Sequence, residues 1–136
     1  MKSLDNPPIN IRLKLAALWT SVMFCYIYGD YFELYAPGKV EDLMNGIGML
    51  DTPMKLFAAS VMLAIPALMI SLSIFLKPAI SRWLNIIFGV FFTAIMLLIA
   101  AGSLTPWYTF YVFLALVESV LTATIVWQAW NWPRAS

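Results

Sequence analysis

The chain has 136 residues, 62% of them hydrophobic and 11% charged, with a formal net charge of +1. Its mean hydropathy of +0.85 lies far from soluble domains, which are about 45–50% apolar and about 25% charged, and four crossings of about 20 residues would use nearly the whole length. The lack of a basic block excludes nucleic acid as a partner, while a lone Cys25 and the absence of histidine exclude dithiol redox, His-based catalysis and the usual zinc sites within one chain, so neither metal nor cofactor is expected.

The first span is expected over about residues 13–35, ending in CYIYGDYFELYAPG, residues 25–38. At a helical period, Trp19, Met23, Tyr26, Asp30 and Glu33 fall on one stripe, and Phe24, Tyr28, Tyr31 and Tyr35 on the other side. The helix therefore has an acid face and an aromatic face. The loop that follows repeats Val40, Leu43, Met44, Ile47 and Leu50 at spacings of three or four, which predicts a short interfacial helix. Thr52 before Pro53 reads as the N-cap and first residue of the second span, about 54–76. Within that span Pro66 removes a backbone donor and frees the Met62 carbonyl, for which a protonated Glu118, Thr93 or water is the expected partner.

From Trp83 to Val117 no residue is charged, too long a run for one crossing. GSLTPW, residues 102–107, divides it, because proline ends a helix before it and starts one after it. The third span is then about 84–101 and the fourth about 106–130. On the fourth, Trp107, Tyr111, Leu114, Glu118, Thr122 and Ile125 share a stripe. Only helices or closed barrels satisfy the backbone in lipid, and no strand-like alternation is present. The expected fold is an all-α transmembrane four-helix bundle forming a single domain over residues 1–136. Lys2, Arg12, Lys14, Lys77, Arg82 and Arg134 fall on one side, against Lys39 and Lys55 on the other, which predicts that both termini face the cytoplasm.

Glu118 falls at the middle of its span, where an ionised acid costs at least about 2.5–3.5 kcal/mol unless it faces protein or water. Antiparallel packing sets Tyr111 near the depth of Asp30, with Glu118 deeper. Glu33, Asp30, Tyr26, Tyr111 and Glu118 are accordingly the candidate ligand-binding residues, with Thr93, Pro66 and Thr122 supporting; no catalytic set is expected. Tyr26, Tyr28, Tyr31 and Tyr35 with Trp107 and Tyr108 also suit an interfacial aromatic belt, as Trp127, Trp130 and Trp132 do at the opposite surface.

RLKLAALWTSVMFCYIYGDYFELYAPG at the start and MISLSIFLKPAISRWLNI across the second and third spans resemble a family of small bacterial four-helix membrane proteins classified only as a domain of unknown function. The likeness runs to about residue 90. It implies a four-span protein of the bacterial inner membrane and carries no activity. One departure is Ile74, where the family has an arginine. Three functions stay open at this point. The leading one is binding or transport of a cationic or protonatable small ligand through an outward-opening acidic, aromatic cleft. The second is a structural subunit that oligomerises or binds a membrane partner, and the weakest is an enzyme acting on a lipid or quinone.

Overall fold

The computed structural model describes residues 3–134, in which every regular element is helical. Lys2, counted above in the charge bias, lies outside the described residues. α1, Ile11–Glu33, starts where Asn10 Oδ1 accepts the Arg12 backbone N–H at 2.8 Å, satisfying one of the orphan donors of the first turn. α2 is short, Lys39–Met44. It stops before the apolar stripe of the loop does, because Gly46 takes φ +68° and the Ile47 N–H closes back on the Asp42 carbonyl at 2.8 Å. That is a glycine-dependent helix stop.

α3, Pro53–Phe75, opens with Thr52 Oγ1 accepting the Lys55 N–H at 3.1 Å, as the Thr-Pro pair predicts. Pro66 lies buried inside α3 and does not end it. α4, Pro78–Gly102, begins five residues before the charge-free run, because Pro78 takes the first helical position directly after Lys77. A 3-10 turn, Pro106–Tyr108, leads into α5, Thr109–Trp130. The four long helices are each long and apolar enough to cross a membrane. The chain is a multi-pass membrane protein in a lipid environment.

α5 packs closely on α1 and α4, α3 packs on α1, and α3 touches α4 only lightly despite the tight turn that joins them. The core is made by Leu15, Trp19 and Val22 of α1 with Met69, Phe92 and Ile125. Trp19 meets Phe92 edge-on, with ring centroids 6.2 Å apart, a geometry that adds about 0.5–1.5 kcal/mol to the burial itself. Between α4 and α5 the small residues let backbones approach. A Cβ on Gly89 would come within 2.6 Å of Val126 Cγ2 and 3.3 Å of the Thr122 carbonyl.

Two polar fastenings hold the end of the bundle that carries the termini. Asn85 is fully buried, and its amide oxygen accepts Trp19 Nε1–H at 2.7 Å and the Ser73 hydroxyl at 3.4 Å. Its amide nitrogen donates to the Ser81 carbonyl at 2.8 Å and hydroxyl at 3.3 Å. Arg82 donates to the carbonyls of Ala129 at 3.0 Å and Trp130 at 3.2 Å, between the rings of Trp83 and Trp130. It therefore adds a donor to the Ala129 carbonyl, which also accepts the Trp132 N–H at 3.2 Å, and supplies one to Trp130 at the negative end of α5.

Candidate functional site

With α3 and α5 each packed on α1, and α4 on α5 but splayed from α3, the half of the bundle nearer the first loop retains a cavity of about 520 Å3. Its two walls differ. α1 and α5 contribute Tyr26, Asp30, Glu33, Tyr111 and Glu118, whereas α3 and α4 contribute apolar side chains, among them Met62, Leu63, Phe92, Met96 and Ile99. Lys39 and Leu43 of α2 and residues 47–50 of the first loop also line it. A mostly apolar hollow with a few convergent polar groups is the usual form of a small-molecule site.

The polar wall follows from helical spacing. Tyr26, Asp30 and Glu33 lie at i, i+4 and i+7 on α1, and Tyr111, Ala115 and Glu118 at the same intervals on α5. The two helices meet at Gly29, where a Cβ would stand at ordinary contact distance, 3.6 Å, from both Tyr111 and Leu114. Asp30 is therefore near the level of Tyr111 and exposed, and Glu118 lies deeper, only 4% exposed. Among the described residues neither Asp30 nor the Glu118 carboxyl has a hydrogen-bonding or ion-pairing side chain. The Tyr26 hydroxyl is buried without a hydrogen-bond partner, on a residue 7% exposed.

Glu33 differs from the other acids. Lys39 Nζ stands 3.1 Å from its carboxylate, and the Tyr108 hydroxyl reaches the same oxygen at 3.5 Å. The hydrogen bond to Glu33 raises the Lys39 ammonium above its usual value, against the opposing effect of partial burial. The mouth is thus crossed by an ion pair between α1 and α2. Sequence spacing did not identify Lys39, which is too far from Glu33 for a helical pair. The signal available was the turn before it, where Gly38 adopts φ +80° and starts α2.

Thr93, Thr122 and Pro66 do not line the cavity. The Thr93 and Thr122 hydroxyl oxygens lie 2.6 Å apart across the α4–α5 contact, and Thr93 also donates to the Gly89 carbonyl at 2.7 Å. Thr93 is engaged within that contact rather than at Met62. Tyr28 and Tyr31 of α1 and Tyr35 just after it are exposed, while Tyr26 does not join that belt and turns inward beside Phe92.

The model of a family of unknown function, DUF6326, matches residues 8–136, nearly the whole chain. No curated protein and no solved structure matches the chain.

Proposed function

Since the chain belongs to DUF6326, a family of unknown function that brings no activity with it, we propose from the cavity alone that the protein binds a small organic cation or protonatable amine. One observation carries the reading. At this mostly apolar cavity the Tyr26 hydroxyl is buried without a hydrogen-bond partner, and Glu118, 4% exposed, has a carboxyl that no side chain of the described residues binds. Burying such groups is costly unless they are compensated, and a ligand with an apolar body and a positive nitrogen compensates both. Asp30 at the mouth attracts the cation, Tyr26 and Tyr111 orient it, and Glu118 counters its charge or exchanges a proton. The site opens toward the exterior of a bacterial inner membrane if both termini are cytoplasmic, and movement of the ligand across the bilayer is the natural extension of binding.

Binding of hexylamine and tetrapropylammonium to the purified protein in mild detergent tests this. Saturable binding is expected, weakened about tenfold or more by Glu118→Gln and by Asp30→Asn, since about 1.4 kcal/mol per lost charge contact is a factor of ten. Binding unchanged in both folded variants overturns the reading. A second reading, in which the chain assembles with another copy, is favoured by α3, which buries the smallest share of its residues of the four long helices. A strictly monomeric native mass in mild detergent removes it.

A further inference from the structure

We propose that the ligand is a dication: an amine with two basic nitrogens joined by a hydrocarbon chain, one nitrogen at Asp30 and the other at Glu118. This rests on the reading of the cavity as a cation site and adds the number and arrangement of the charges.

The argument is one of charge balance in a confined, low-dielectric space. Three carboxylates line the cavity, and its only lining cation among the described residues is Lys39. Lys39 is taken up by Glu33 at 3.1 Å. Asp30 and Glu118 are left without a side-chain partner, so one bound ammonium would neutralise one and leave the other uncompensated. Glu118 is the buried one of the two, so its unpaired charge is the costlier, and a ligand seated over the exposed Asp30 removes water from that carboxylate as well. Two positive centres on one ligand complete the balance.

Geometry supports a linear molecule. The Gly29 contact with Tyr111 and Leu114 puts Glu118 one helical turn beyond Leu114, about 6 Å along the axis at 1.5 Å per residue. Side chains on helices lean toward the N-terminus, so Asp30 on α1 and Glu118 on the antiparallel α5 lean toward each other along the same wall. No hydrogen bond joins them. Between them lie Tyr26 and Ala115, and opposite stand Met62, Leu63, Met96 and Ile99, an apolar wall suited to methylene groups. The acids alone would not identify a ligand site. The independent sign is Tyr26, which lines the same cavity one turn from Asp30 and whose buried hydroxyl has no acceptor or donor.

The test compares linear diamines, from diaminobutane to diaminooctane, with n-alkylamines of the same carbon number, by calorimetry on the full chain in mild detergent. At one chain length the diamine is expected to bind at least about tenfold tighter than its monoamine, because the second contact is made at high effective concentration. Asp30→Asn and Glu118→Gln should each reduce that preference to less than about twofold while the protein keeps its elution volume and melting temperature. Should diamines and monoamines bind equally well at every length, the dication is overturned and the simpler cation site stands. If no amine and no quaternary ammonium ion binds, both fall together.

Discussion

At the scale of single residues, the polar groups divide into those the fold consumes and those it leaves free. Asn85 is consumed completely: both lone-pair directions and both N–H groups of its amide have partners, the full capacity of that side chain. Replacing it by leucine, close in size, orphans the Trp19 indole N–H, whereas Ser73 and Ser81 can turn back to their own helix carbonyls. Asn85→Leu should therefore destabilise the protein by about 1–3 kcal/mol. In a Trp19→Phe background the same change should cost less, by a coupling of about 0.6–1.7 kcal/mol as in other membrane helices. Unfolding of the four proteins in mixed micelles measures this, and a coupling of zero would contradict the hydrogen bond. Sequence reading passed over Asn85 because one amide near the end of an apolar run looks like boundary polarity. Its tell was Ser81, one turn earlier on the same face. Glu118, by contrast, stood out because nothing else in the middle of a span carries a carboxyl.

At the scale of elements, periodicity gave the polar faces of α1 and α5, since residues on one helix repeat their angle regardless of what packs on them. The role of the first loop was not legible in the same way. Its apolar stripe predicts a short helix whose end Gly46 and Gly48 leave open, and only the backbone turns at Gly38 and Gly46 explain how α2 swings Lys39 back to Glu33. Both side chains of this pair are about a quarter exposed, so the contact is worth at most about 1 kcal/mol. Loss of the pair should then open the mouth by up to about fivefold and no more. Ala115 lines the cavity and is itself buried, which makes a cysteine there a reporter in a Cys25→Ser background. Lys39→Gln should speed its reaction with a small thiosulfonate by up to that factor. The Lys39 ammonium titrates above its usual value because Glu33 binds its charged form. The closing interaction is therefore fully present below the ordinary lysine value and lost only as pH rises through the raised one. The ratio of the two reaction rates should stay constant between about pH 7 and 9, and a ratio that collapses within that range would show that another group closes the mouth.

At the scale of the whole molecule, the number of crossings was readable because each needs about 20 apolar residues, but the neighbours were not. In lipid, the outward face of a helix is as apolar as the inward one, so hydrophobic pattern says little about which helices touch. That α3 leans on α1 while α4 leans on α5 follows from shape, at Gly89 above all, and the resulting splay leaves the cavity. Charge carries the remaining global property, orientation. Among the described residues Arg12, Lys14, Lys77, Arg82 and Arg134 lie at the end of the bundle with the termini, and Lys39 and Lys55 at the first-loop end. Those two are paired with Glu33 at 3.1 Å and Asp51 at 2.8 Å, though acids count little in setting topology. Five bases against two predict cytoplasmic termini and a cavity that opens outside. A fluorescent reporter that matures only in the cytoplasm should therefore be bright when fused after the last residue. An accessible cysteine at Met49, which is almost fully exposed in the first loop, should react in intact cells with a reagent that cannot cross the membrane. A dark fusion with an unreactive Met49→Cys would reverse the orientation, and the acids would then draw their ligand from the cytoplasm.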